Sequence, residues 1–166
     1  RHVDAASRDP RHLAAAAALA ANRVPEAEQR LRELLKLAPT DVAAMRMLAE
    51  LAARLGRLDA AEGLLERALE LAPGFDAARQ NHALVLQRNN KPEAALAEIE
   101  RLLACAPRNP SYRNLLAIVS AQLGEYERAI DLLAELLREH PDRARTWLSY
   151  GHALKTAGRN AESVAA

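Results

Sequence analysis

The sequence predicts an all-α protein built as a stack of helix-turn-helix repeats, about four and a half of them in 166 residues. Three observations predict it. Pro39, Pro73, Pro107 and Pro141 stand 34 residues apart. Midway through each interval lies Asn22, Gly56, Asn90, Gly124 or Gly158, the residue types that most readily enter the left-handed conformation ending a helix. The apolar half of the composition is mainly Ala and Leu with only 3% aromatic residues, which suits helices in close contact rather than a sheet.

Taken in order, the units run 8–41, 42–75, 76–109 and 110–143, with a partial fifth over 144–166. Each reads as helix A, an Asn or Gly stop, helix B and a proline turn. Small residues recur at fixed places on both helices, in the columns Ala15, Ala49, Ala83, Ala117 and Ala27, Ala61, Ala95, Ala129. In the second unit Met45, Leu48, Leu51, Ala52 and Leu55, then Leu64, Leu65, Ala68, Leu69 and Leu71, keep helical spacing. Asp41, Asp76 and Asp142 are expected to cap helix starts, as is Asn109 with Pro110 behind it, while Pro25 and Pro92 open two B helices. Residues 1–7 lack the leucines of a preceding unit and read as a cap or frayed end. The fifth B helix is cut short, so the chain is expected to fray past about residue 158 or to self-associate through Trp147, Leu148, Tyr150 and Leu154.

A net charge of +1 with interleaved signs offers no general field for nucleic acid or an anionic membrane. The longest apolar run, residues 13–21, is far short of the roughly 20 residues of a membrane span. One cysteine, Cys105, excludes an internal disulfide and fits a reducing compartment, so a cytoplasmic location is expected. The chain begins with Arg1, and a native N-terminus with a targeting signal could precede it.

A 34-residue helix-turn-helix with these columns resembles the tetratricopeptide repeat over nearly the whole chain. Pro141, Trp147, Tyr150, Gly151, Leu154 and Gly158 match its signature best, and Arg11, Met45, Arg79 and Arg113 replace the tryptophan elsewhere. The resemblance implies a right-handed superhelical solenoid whose A helices line a concave groove. A clamp for a chaperone's terminal carboxylates is doubtful, because Glu50, Ser111 and Leu115 stand where its Asn, Lys and Arg would be. The asparagine ladder of glycosyl-transferring repeats would need Asn along Leu13, Met47, Asn81, Leu115 and Ser149, where only Asn81 fits. The block LSYGHALKTAGRNAES also looks like repeats that precede the catalytic domain of bacterial sulfotransferases. That likeness implies a recruiting arm, with the phosphoadenosine-phosphosulfate chemistry outside residues 1–166.

No catalytic constellation, cofactor loop or metal spacing is expected. His82 shares a column with Ala14, Leu48, Leu116 and Tyr150 and reads as a core or groove-edge residue rather than a base. His2, His12, His140 and His152 are scattered, and Cys105 reads as a buried hydrophobe. Trp147 reads as packing between its own two helices. What remains is the groove: Arg46, Arg54, Gln80, Asn81, Gln87, Arg88, Asn114, Gln122, His152 and Lys155 project inward from the A helices. Amides that can bond a peptide backbone beside guanidinium groups suit a protein or extended, acidic peptide as partner. The expected function is therefore recognition without catalysis.

Overall fold

The computed structural model describes residues 9–165, and every regular element among them is a helix. Residues 1–7, expected to cap or fray, lie outside the described residues. The chain divides into two compact units, residues 1–89 and 90–166. The first holds α1 (Pro10–Ala20), α2 (Val24–Leu37), α3 (Val42–Arg54), α4 (Leu58–Leu71) and α5 (Asp76–Arg88). The second holds α6 (Pro92–Cys105), α7 (Pro110–Gln122), α8 (Tyr126–Glu139), α9 (Ala144–Thr156) and α10 (Asn160–Ala165).

Within each unit every helix packs on the next, and each A helix also touches the following A helix: α1 on α3, α3 on α5, α7 on α9. Both small-residue columns explain that closeness. Ala15, Ala49, Ala83 and Ala117, and Ala27, Ala61, Ala95 and Ala129, are all fully buried. B helices bury a regular face, for the alanine is followed four and seven residues later by Leu31 and Leu34, Leu65 and Ala68, Ile99 and Leu102, or Leu133 and Leu136. In the first unit the α1–α3 core continues into one formed by α3, α4 and Phe75 with Ala78 and Val85 of α5. In the second, Ala117, Ala129, Ile130, Leu133, Ala153 and Leu154 join α7, α8 and α9.

All five midpoint residues adopt positive φ: Asn22 54°, Gly56 75°, Asn90 57°, Gly124 85° and Gly158 80°. The reversal lets two amides fold back on the finished helix. After α3, Arg57 N donates to Ala52 O at 2.9 Å and Gly56 N to Ala53 O at 3.1 Å, and the same pair recurs after α1, α7 and α9. A residue other than Gly or Asn would meet strain at these points.

Helix starts depart from expectation at two places. Asp41 and Asn109 cap α3 and α7, accepting from Ala43 N and Ala44 N and from Ser111 N and Tyr112 N. Asp76 and Asp142 do not cap. Advancing Asp41 by the 34-residue period gives Phe75, Asn109 and Arg143, and Phe75 and Arg143 are the N-cap residues of α5 and α9, with no side-chain cap. Asp76 and Asp142 each miss that column by one. The stretch past residue 158, expected to fray or to self-associate, is helical in the structure. Residues 160–165 form α10, and Ser163 Oγ donates to Gly151 O at 2.8 Å.

Candidate functional site

The A-helix faces carry the expected groove residues, and their surroundings differ between the two units. In the first, Glu50 sits between two arginines one turn away on either side. Arg46 Nη1 lies 3.4 Å from Glu50 Oε2 and Arg54 Nη2 lies 2.6 Å from Glu50 Oε1. Arg54 Nη1 also donates to Leu19 O at 3.3 Å, tying α3 to the end of α1. Its guanidinium is therefore already matched. Arg88, in the same repeat column at the end of α5, is exposed and makes no ion pair among the described residues. Both arginines end their helices, where a cation also meets the negative end of the helix dipole.

Gln80, Asn81 and Gln87 of α5 are half-buried. Asn81 has a buried side-chain nitrogen with no partner among the described residues. In the second unit Asn114 of α7 is half-buried and leaves its buried carboxamide oxygen equally unpartnered. An unmade buried hydrogen bond costs about 1–3 kcal/mol, so each amide is a place where an added partner gains. Gln122, His152 and Lys155 are exposed. His152 and Lys155 join Trp147, Leu148, Gly151 and Ser163 around a hollow of about 390 Å³, into which α9 and α10 present a mixed apolar and basic lining.

Two side chains, Cys105 and Trp147, behave differently from expectation, and His82 adds a neighbourhood that was not anticipated. Cys105 is exposed rather than buried, because it lies in the last turn of α6, and its column mates Leu37 and Leu71 at the ends of α2 and α4 are exposed too. Trp147 is 38% exposed. It stands edge-on to Tyr150 at 6.2 Å and donates from Nε1 to Pro141 O at 2.8 Å, so it braces its own turn rather than filling the space between two helices. His82 is buried, in keeping with a core position, but a ligand atom from each of His82, Glu62 and Glu66 lies within 4.8 Å of the others.

Two further polar links escaped sequence reasoning. Buried His12 donates from Nε2 to Asp41 Oδ2 at 2.7 Å, so one carboxylate both caps α3 and holds α1. Arg113, whose side chain is only 11% exposed, pairs with Glu135 and Glu139 of α8, each at 2.8 Å. Both links join residues more than twenty positions apart, and no local pattern announces them. Charge pairing also lowers half-buried Glu28 in the first unit below its usual carboxylate range, chiefly by the Arg32 hydrogen bond, with Arg57 adding to it. No described helix is long and apolar enough to cross a membrane.

The tetratricopeptide repeat family model matches residues 12–74, 81–144 and 121–166. No curated protein sequence matches the chain. Among solved structures, a tetratricopeptide repeat protein from Parabacteroides merdae aligns with a TM-score of 0.84 at 17% identity, over 91% of this chain and 59% of that one. MamA from Desulfovibrio magneticus aligns at 0.77 and 19% identity, over 90% and 85%. YrrB, described as a repeat protein with an unusual peptide-binding site, aligns at 0.69 and 17% identity, over 90% and 76%. At these identities the likeness speaks for the fold.

Proposed function

The chain belongs to the tetratricopeptide repeat family, and from that premise we propose that it is a non-catalytic binding module whose A-helix faces take an extended, acidic protein segment. The observation that carries the proposal is a half-buried amide in each unit, Asn81 in the first and Asn114 in the second, with a buried polar atom that no group among the described residues satisfies. Within each unit a peptide backbone can supply the missing partner, a carbonyl for the Asn81 nitrogen in the first or an N–H for the Asn114 oxygen in the second. Arg88 adds an exposed cation to the first unit, and in the second Lys155 does so with Trp147 and Leu148 beside it as an apolar anchor. YrrB, with its peptide-binding site on a related fold, is a precedent for this use of the repeat. The exposed Cys105 thiol suits a reducing compartment such as the cytoplasm. The family model matches the repeats and lends no support to attachment to a sulfotransferase.

Arg54 and Arg88 share a repeat column, but Arg54 already pairs with Glu50, so the two should separate on mutation. Fluorescence anisotropy with a library of ten-residue acidic peptides provides the readout. Arg88→Ala should weaken the best binder about tenfold, the scale of a lost charge-assisted hydrogen bond, and Arg54→Ala by clearly less. Arg67 on α4, exposed and paired with Glu70, is the control on a B helix. Loss on Arg67→Ala equal to that on Arg88→Ala would remove the A-helix face from consideration. Light scattering over a range of concentrations reads separately whether a second copy takes the Trp147–Leu148 face.

A further inference from the structure

We propose that Glu62, Glu66 and His82 form a binding site for a divalent transition-metal ion of the zinc class. Glu62 and Glu66 lie four residues apart and so share one face of α4, and His82 comes from the facing helix α5. One ligand atom from each falls within 4.8 Å of the other two. Tetrahedral ligands at about 2.0–2.2 Å from a zinc ion stand roughly 3.4 Å from one another, so closure asks for about an ångström of side-chain movement. Glu66 is exposed and can supply it.

The donor set argues for the class of ion. One imidazole nitrogen with two carboxylate oxygens suits zinc, cobalt or nickel, whereas calcium and magnesium favour all-oxygen surroundings. Three protein ligands leave one position for water, and the exposure of Glu66 keeps it open to solvent. Glu62 is held from outside: Asn89 Nδ2 donates to Glu62 Oε2 at 2.9 Å and to Asp59 Oδ1 at 2.9 Å. Hydrogen bonds of that kind orient metal ligands.

The repeat itself does not call for these three residues. In the His82 column the other units carry Ala14, Leu48, Leu116 and Tyr150, and the Glu66 column holds Arg32, Glu100 and Ala134. Only the unit pairing α4 with α5 combines two carboxylates and a histidine in these columns. Spacing rules applied to histidines alone pass over it, because the ligands come from two helices.

Titration with Co²⁺ and Zn²⁺ near neutral pH tests the site, using the full chain carrying Cys105→Ser so that the exposed thiol cannot bind the probe. One ion per chain, a tetrahedral Co²⁺ absorption band and a raised melting temperature are expected. Glu66→Gln, at an exposed position that leaves folding intact, should weaken the metal at least tenfold, and Asn89→Ala about tenfold, as for outer hydrogen-bond partners. His152→Ala should change nothing. Absence of saturable binding below about 100 µM, equivalent to roughly 5.5 kcal/mol, or unchanged affinity in Glu66→Gln, would overturn the assignment and leave Glu62, Glu66 and His82 as an ordinary polar contact.

Discussion

Two kinds of junction carry the chain from one unit to the next. Before α3 and α7 the turn ends in a side-chain cap, Asp41 or Asn109. Before α5 and α9 the equivalent residue is Phe75 or Arg143, and neither caps. The backbone turn hardly changes, since the cap residue's N–H reaches the carbonyl three residues back at 3.1, 3.0, 3.1 and 3.4 Å in the four turns. What changes is who serves the third amide of the new helix. Asp41 Oδ1 takes Ala44 N at 2.9 Å, whereas at the uncapped starts Ala78 N and Thr146 N each bond the cap residue's own carbonyl at 2.9 Å. At those same starts the tryptophan column supplies a brace from above: Arg79 donates to Pro73 O and Trp147 to Pro141 O. The capped junctions use that column otherwise, with Met45 buried in the core and Arg113 paired to α8. The repeat thus dictates a backbone path that either a cap or a brace can hold.

The largest effect should come from Asp41→Ala. It removes a cap worth about 0.5–2 kcal/mol and strands buried His12, whose hydrogen bond to a charged partner is worth about 1.5–3 kcal/mol, so a combined loss of about 2–4 kcal/mol is expected. Asp41→Asn keeps the capping oxygen but puts an NH2 donor where Oδ2 accepts from His12, so it should retain the cap and lose mainly the His12 link. Urea unfolding of the two variants beside Asn109→Ala, which loses a cap alone and about 1 kcal/mol, checks this. Equal losses for Asp41→Ala and Asn109→Ala would show that the His12 link adds nothing.

The opposite experiment installs a cap where a brace now serves. Arg143 has φ −83° and ψ 89°, close to Asp41 at −72° and 94°, so the backbone is already shaped for a capping side chain. Its positive charge also faces the positive end of the α9 dipole. Arg143→Asp gives up only a 3.4 Å contact with Ser111 Oγ and should raise stability by about 0.5–1 kcal/mol. A destabilised variant would mean that the brace and the cap exclude each other.

Those junctions also show why parts of the molecule were legible from sequence. The prolines and the Asn or Gly stops are set by backbone conformation, which recurs in every unit, and all five stops have the positive φ that their residue types imply. Asp76 and Asp142 misled because an acid one place after or before the cap column looks like a cap until the 34-residue register is applied strictly. The His12–Asp41 and Arg113–Glu139 links span 29 and 26 residues, and nothing in either local segment encodes them. The candidate binding residues were legible as exposed or half-buried positions on A helices, but pairing was not. That Glu50 serves both Arg46 and Arg54 follows from spacing once helix α3 is granted, whereas the absence of such a partner for Arg88 needs the fold.

A milder probe of the brace is Trp147→Phe, which keeps the ring against Tyr150 and deletes the indole N–H. The expected loss lies near the low end of a single hydrogen bond, about 0.5 kcal/mol, because the group is partly exposed. In an Arg143→Asp background the loss should shrink further, since the cap then holds the turn. A loss above about 1.5 kcal/mol in the single variant would assign the residue a packing role beyond the brace.

The smallest effect concerns the start of α1, where cap and brace fall on one pair of residues. Asp9 Oδ1 accepts from Arg11 N at 2.8 Å and its Oδ2 meets Arg11 Nη2 at 2.8 Å. The Arg11 side chain first, and its backbone N–H second, hold the Asp9 carboxyl at about 2 against an ordinary 3.8. A depressed acid contributes stability that is complete above its unfolded value and lost as pH falls through the folded one, so this contribution is present above about pH 4 and fades toward pH 2. Arg11 is exposed and Asp9 partly so, and the solvent that reaches the pair screens it and keeps the change in overall stability small. The carboxyl carbon of Asp9 and the amide of Arg11, followed by NMR from pH 6 to 1.5, should titrate together near pH 2. Arg11→Ala removes the first cause and leaves the backbone bond, so the midpoint should rise partway toward 3.8. A wild-type midpoint at 3.8 would mean that Asp9 neither caps α1 nor pairs with Arg11 in solution.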